Sequence, residues 1–193
     1  AHISAVQEDI VRLRLNDPST GRLVKNEMIY IRPARAPQER LKAEVLRVMG
    51  DQADAQVYES TEGVGLGDGI EQTGRLLSVR LGPGLLGQVY DGLQNPLEAL
   101  AVGHGTFLPR GVSAPGLDPA TKWSFTPHVR IGDRVRAGDA IGTVPEGPIT
   151  HKVMVPFDLD ESFEVTWLRD GPVTVDEPVA RLRAKSGAER TLT

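Results

Sequence analysis

Turn-forming residues punctuate this chain so densely that long helices have no room. Gly 21 and Pro 14 are spread among 193 residues, and the apolar runs between them are short, as in strands joined by tight turns. No stretch approaches the roughly 18 consecutive apolar residues of a membrane-spanning helix. The opening Ala1-His2-Ile3-Ser4 lacks a charged segment followed by an apolar core. The absence of cysteine excludes disulfide scaffolds, thiolate zinc sites, iron–sulfur clusters and a cysteine nucleophile. Lys+Arg 22 against Asp+Glu 26 leaves a charge of −4, which gives no global pull toward nucleic acid. These features predict a soluble, intracellular, mostly β chain of one large or two small domains.

In the first half the hydrophobic pattern has period two. Val11, Leu13 and Leu15 alternate with Arg12 and Arg14 over Asp9 to Leu15, the pattern of a half-buried strand. Asn16-Asp17-Pro18-Ser19-Thr20-Gly21 supplies turn chemistry before a second strand over Met28 to Ile31. Glu44 to Met49, a Gly50-Asp51 turn, and Ala53, Ala55 and Val57 make a hairpin, so these strands predict a small barrel. Arg32 to Arg47 holds five basic and two acidic residues, is broken by Pro33 and Pro37 and lacks interleaved aromatics; it is read as a solvated loop rather than an anion-binding patch. Glu62 to Gly69 is a glycine-punctuated loop, with a strand expected over Arg75 to Leu81. Asn95-Pro96-Leu97-Glu98 predicts a short connecting helix to about Val102, capped by Asn95 with Glu98 completing a capping box.

After Gly111 the texture changes. Gly132-Asp133-Arg134-Val135 is echoed six residues later by Gly138-Asp139-Ala140-Ile141, and two like turns at that interval predict strands folding back in a compact barrel-sandwich unit. Thr150 to Val155, Phe163 to Leu168 and Pro172 to Val175 supply further strands. Asp158 to Glu177 carries seven acids and one Arg, a stretch read as a solvated face rather than an acid/base pair. Arg181 to Thr193 is basic and is read as a linking tail.

None of the catalytic patterns is satisfied in full. Gly82-Pro83-Gly84-Leu85-Leu86-Gly87 matches G-x-G-x-x-G, but Pro83 removes a backbone donor, Asp91-Gly92 breaks the segment that should be helical, and residues 102–110 hold no acid for a ribose hydroxyl. No G-x-x-x-x-G-K-[ST] is present to cradle nucleotide phosphates. His2, His104, His128 and His151 are scattered without metal-ligand spacing and are read as surface or turn residues. Gly111-Val112-Ser113-Ala114-Pro115 ends in proline where a nucleophile elbow requires glycine. Trp123, Phe125 and Trp167 are assigned to the core of the second unit, with a docking surface as the other use of one of them.

The run Gln56-Val57-Tyr58-Glu59-Ser60-Thr61-Glu62-Gly63, then Thr73-Gly74, then Leu81 to Leu97 with Tyr90-Asp91-Gly92-Leu93-Gln94-Asn95-Pro96-Leu97, closely resembles the catalytic A subunit of V-type and A-type ATP synthases. The likeness continues through Arg110-Gly111-Val112, Leu117-Asp118, Lys122 to Pro127, Gly142 to Glu146 and His151 to Pro156, from about Asp9 to Leu182. Asn95 stands where that family usually has Arg. The resemblance reaches no P-loop, catalytic glutamate or helical C-terminal domain, so it implies an N-terminal fragment of a longer subunit.

The resemblance also assigns parts: 1–73 as an N-terminal β-barrel of the ring's crown, 74–107 as a glycine-rich connector with a short helix, 108–182 as the bulge (non-homologous region) domain, and 183–193 as a tail toward the absent nucleotide-binding domain. It implies B subunits and peripheral-stalk subunits as partners, no nucleic acid, no membrane insertion, and a cytoplasmic place peripheral to the membrane. It implies ion-transporting ATP hydrolysis or synthesis by the parent subunit, with Mg-ATP as the parent's cofactor and none in this piece. No catalytic, nucleotide-binding or metal residue is assigned here. Asp158, Asp160, Glu161, Glu164 and Asp170 are the candidate stalk-docking surface. The doubled Gly-Asp turn also resembles biotinyl and lipoyl carrier domains, which makes a carrier lysine, Lys152, the rival expectation.

Overall fold

The computed structural model describes residues 1–15, 23–105, 107 and 110–193. Within these it shows fourteen strands and one helix, arranged in two compact units. The first unit comprises Ala1–Val79 and Leu97–Ala114; the second comprises Arg80–Pro96 and Pro115–Thr193. The turn expected over Asn16 to Gly21, and the boundary placed at Leu108, lie outside the described residues.

The first unit is a closed antiparallel barrel. Its strands are β1 (His2–Gln7), β2 (Ile10–Arg14), β3 (Glu27–Arg32), β4 (Leu41–Met49), β5 (Gln52–Val57) and β6 (Gly69–Leu76), joined in the order β1-β2-β5-β4-β3-β6. Alternation sends Val11 and Leu13, Ile29 and Ile31, Leu41, Ala43 and Val45, and Ala53 and Ala55 inward, each fully buried. Register sets Val11 and Val45 on either side of Ala55, so the small residues of β5 sit between branched side chains. The β4–β5 connection is the expected two-residue turn, with Gly50 at φ 62 supplying its left-handed position. The seam is narrow: β1 meets β6 through the pair His2↔Gly69, and Ile3 exchanges backbone bonds with Asp68 (3.0 Å) and Gly67 (2.8 Å).

Three of the sequence expectations in this unit are corrected. The strand expected over Arg75 to Leu81 lies earlier, at Gly69–Leu76, because Ile70, Glu71 and Gln72 pair with Ile31, Tyr30 and Ile29 of β3. Residues 77–81 are not in a strand, and Val79 and Leu81 are exposed. Arg32 to Arg47 is a loop only between β3 and β4: Arg32 and Arg40 bond Glu71 at 2.7 and 2.8 Å, and Arg47 bonds Asp54. The helix α1 spans Leu97–His104, starting two residues after Asn95 and running past Val102. Asn95 Nδ2 donates to Asp91 Oδ2 (2.7 Å), and the N–H groups of Leu93 and Asn95 donate to Asp91 Oδ1 (both 2.8 Å).

The second unit carries two four-stranded sheets, β10-β9-β7-β12 and β14-β13-β11-β8. Their strands are β7 (Trp123–Pro127), β8 (Arg134–Val135), β9 (Ala140–Glu146), β10 (Ile149–Met154), β11 (Phe163–Leu168), β12 (Gly171–Val173), β13 (Ala180–Ala184) and β14 (Glu189–Leu192). Phe125, Val135, Ile141, Val144, Val165 and Leu182 are among the side chains of one shared core. The tail expectation is overturned here. Ala180, Leu182 and Ala184 alternate with Arg181 and Arg183 and are buried, and Leu192 is 6% exposed, so the last residues form two core strands.

The doubled Gly-Asp motif builds the same turn twice. Asp133 Oδ2 accepts from Arg130 N (2.8 Å) and Asp139 Oδ2 from Arg136 N (2.7 Å), with Gly132 and Gly138 at φ 94 and 82. Each turn is clasped to a distant valine by two backbone bonds. Gly132 N and Asp133 O pair with Val165 at 2.8 and 2.9 Å, and Gly138 N and Asp139 O pair with Val155 at 2.9 and 3.0 Å. Val135 and Ile141 then enter the core from equivalent positions.

Candidate functional site: an acidic loop and an anchored glycine loop

The five sequence-predicted docking residues are all exposed. Glu164 on β11 is flanked in register by Arg134 of β8 and Arg183 of β13, and Arg183 faces Glu189 of β14. This makes a row of alternating charge across the sheet, which opposite-sign cross-strand pairing stabilises. Asp158 meets Arg190 at 3.4 Å. Beyond the five, Asp176 meets Arg80 (2.8 Å) and Glu177 meets Arg169 (3.3 Å). The Glu177 carboxyl lies below its usual range because Thr174 N–H donates to it, with Arg169 and Lys122 adding to the effect against the cost of burial.

Among the described residues Asp160, Glu161 and Asp170 of the window form no ion pair, and the first two lie in the β10–β11 loop. Asp160 and Glu161 line an open cleft of about 490 Å³ with Leu159, Ser162, Arg136 and Ala137. Asp170 sits apart, before Gly171 at the β11–β12 turn. The sequence window thus reads −6, but in space it breaks into neutral charge rows and one small acidic rim. Arg136 of that cleft was missed, although its place in the doubled turn was a visible signal.

The glycine loop Gly82 to Gly87 is anchored from inside. Gly84 N–H (2.8 Å) and Leu86 N–H (3.3 Å) donate to Glu146 Oε1, and His151 Nε2 meets Glu146 Oε2. Burial alone would raise the Glu146 carboxyl, but Gly84 N–H, His151 and Leu86 N–H together hold it below its usual range. Two of the loop's amides are therefore engaged by this chain's own carboxylate.

Lys152 lies within β10, in register with Thr143 of β9, while the hairpin tip is at Gly147-Pro148. A carrier lysine must project from a tip, so the carrier reading fails on this position. Of the aromatics, Phe125 is fully buried, Trp123 packs against the core, and Trp167 lies 5.5 Å under the Arg181 guanidinium. His151 pairs with Glu146 and His128 with the Thr143 hydroxyl (3.1 Å). Among the described residues no group of three or more His, Asp or Glu is placed to hold a metal, and no helix is long and apolar enough to cross a membrane.

In the first unit, Arg110 of the Arg-Gly-Val motif bonds Glu39 (2.9 Å from Nε) and the carbonyls of Ser60 (3.1 Å) and Glu62, which fixes the Ser60–Glu62 segment. Glu59 is raised above its usual range by burial, against the N–H groups of Gly111 and Lys42, and its Oε2 is buried without a hydrogen-bond partner among the described residues. These are structural knots rather than a catalytic constellation.

Comparison with known proteins gives two family matches. Residues 9–74 match the ATP synthase alpha/beta family β-barrel domain, and residues 114–193 match the ATP synthase alpha/beta subunit barrel-sandwich domain. The chain is 48% identical over 192 residues to V-type ATP synthase alpha chain 1 of Treponema pallidum, covering 99% of this chain and 31% of that relative. It is 45% identical over 174 residues to the V-type ATP synthase alpha chain of Borrelia turicatae, covering 90% and 30% respectively. For the alpha chain of Treponema denticola the figures are 45% over 168 residues, 86% and 28%. The chain thus spans about three tenths of the length of the curated relatives it matches.

Proposed function

The chain belongs to the ATP synthase alpha/beta family, as the N-terminal region of a V-type alpha chain, and from that premise we propose that it is a structural part of a rotary ATPase. The whole subunit would couple ATP hydrolysis or synthesis to H⁺ or Na⁺ transport in the soluble sector of the complex, with Mg-ATP bound by residues beyond this region. The observation that carries the reading is the pair of family matches, which fall on two β-units with separate cores.

Each unit suits a static task. The barrel is closed by antiparallel pairing around its circumference, so deforming it breaks many backbone bonds together; this supports a role in holding alternating A and B subunits in a ring. The second unit exposes Asp160 and Glu161 in an open cleft that Arg136 also lines; its two carboxylates outnumber its one cation, which supports a contact with a basic side chain of the peripheral stalk at modest ionic strength. The reading is tested by isothermal titration of the chain with Mg-ATP: no saturable heat is expected, and stoichiometric binding would overturn it.

A further inference from the structure

The two Gly-Asp turns of the second unit are built alike but are not covered alike. In both, a glycine at positive φ precedes an aspartate whose carboxylate accepts from an arginine N–H earlier in the turn. Both are clasped to a valine, Val165 for the first and Val155 for the second. An aromatic residue follows each valine at the same interval, Trp167 in one case and Phe157 in the other. The strands then differ. β10 ends at Met154, so the chain after Val155 can fold over its turn, whereas β11 runs on to Leu168 and keeps Trp167 in register with Arg181, 5.5 Å under its guanidinium.

The second turn is covered at each position by the segment after Phe157. A Cβ on Gly138 would lie 3.0 Å from the Phe157 ring, and Ala137 and Arg136 share a cleft with Leu159, Asp160 and Glu161. The corresponding positions of the first turn have no such cover. Nothing lies within 4 Å of a Cβ on Gly132, Ile131 is 65% exposed, and Arg130 is exposed with no ion pair among the described residues. Of the nearby carboxylates, Asp133 turns its Oδ2 to the Arg130 N–H (2.8 Å) and Glu164 stands between Arg134 and Arg183, so the Arg130 guanidinium is left uncompensated. A bare glycine, an exposed isoleucine and a free cation make one small surface of apolar and positive character. The second turn shows what fits such a surface: a ring on the glycine and carboxylates near the arginine.

We propose that the first Gly-Asp turn, Arg130 to Asp133, docks an acidic segment of a partner protein, with an aromatic ring of that segment seated on Gly132 against Ile131 and a carboxylate on Arg130. This surface favours the opposite charge to the proposed stalk contact at Asp160 and Glu161 and does not rest on that reading.

The probe is the peptide Pro-Phe-Asp-Leu-Asp-Glu, the chain's own sequence at 156–161, blocked at both ends and titrated into the isotope-labelled chain while backbone amide resonances are followed. Saturable shifts are expected at Ile131, Gly132 and Asp133. Replacing the peptide's phenylalanine with alanine should weaken binding about tenfold, and replacing its acids with amides about threefold. Arg130→Gln, at an exposed position, should erase the preference for the acidic peptide, and Ile131→Ser should weaken the acidic and amide peptides alike by about threefold. No saturable shift, equal affinity of the alanine peptide, an acid preference that survives Arg130→Gln, or shifts confined to residues 136–139, where the peptide would displace the chain's own segment, would each overturn the proposal. So would a dimer in sedimentation velocity that Phe157→Ala dissolves, because the occupant would then be a second copy of the chain.

Discussion

The two units solve the same problem by different means. In the barrel most strands carry hydrophobic alternation, and three buried carboxylates brace the wall. Asp54 accepts from Arg12 (2.8 Å) and Arg47, Glu27 from the N–H groups of Val24 (3.1 Å) and Gly74 (3.0 Å), and Asp68 from those of Ala34 (3.1 Å) and Gly65 (2.8 Å). In the second unit the strands are shorter and the order comes from turns. The two Gly-Asp turns, each clasped to a valine, and the Gly82–Gly87 loop on Glu146 set where the chain reverses. A barrel specified by alternation should tolerate changes in its turns; the sandwich should tolerate them only where, as at Gly147, no atom packs against the turn.

The largest effect is expected at Gly142. A Cβ there would collide with the Cζ and Cε2 edge of the Phe125 ring and lie 2.6 Å from the Thr126 carbonyl, which backbone cannot yield cheaply. Gly142→Ala should cost about 3 kcal/mol or more and lower the unfolding transition of the second unit while the barrel's transition holds its temperature. Gly147→Ala, at φ 52 with no atom within 4 Å, should cost only about 1 kcal/mol in the same thermal scan. A joint shift of both transitions by Gly142→Ala would erase the distinction between the units.

Next is the barrel's Asp54, 3% exposed between two arginines. Asp54→Ala should cost about 2 kcal/mol in urea unfolding, because it leaves two cations without their buried acceptor. The Arg12 hydrogen bond, with Arg47 assisting against burial, holds the Asp54 carboxyl below its usual value. Its stabilisation is therefore fully present above the unfolded value of about 4 and fades as pH falls toward the lower folded value. Asp54→Asn should flatten that part of the acid limb; an unchanged limb would contradict the assignment.

Smaller effects compare like with like. Asp133→Ala and Asp139→Ala each remove one side-chain bond from equivalent turns and should cost about 1 kcal/mol apiece, both in the second unit's transition. The smallest belongs to Glu59, whose burial favours the protonated form. Glu59→Gln should change barrel stability by no more than about 0.5 kcal/mol at neutral pH, in the stabilising direction if anything. A loss like that of Asp54→Ala would show that Glu59 braces the wall after all.

The barrel was legible in the sequence because its inward residues recur at every second position. Its misplaced strand shows the limit: Gly69 to Leu76 is polar on both sides of Ile70 and is recruited by pairing with β3, a long-range effect that alternation does not reveal. The last strands hid for another reason. Ala180-Arg181-Leu182-Arg183-Ala184 is a period-two pattern whose inward side chains include two small alanines, so the flanking charge dominated the reading. The doubled Gly-Asp motif was visible, but the valine clasps at Val155 and Val165 were not. The acidic window misled as a block because cross-strand register brings Arg134 and Arg183 beside Glu164. Only Asp160 and Glu161 remain together in the cleft, with Asp170 exposed elsewhere.

The proposed division of labour, a ring-holding barrel and a stator-facing second unit, is tested most directly by titrating the chain with the peripheral-stalk subunits of a V-type ATP synthase. The account predicts binding that weakens as salt is raised and falls at least about tenfold in the double variant Asp160→Lys, Glu161→Lys. Failure to bind, or binding indifferent to both salt and the double substitution, would contradict it.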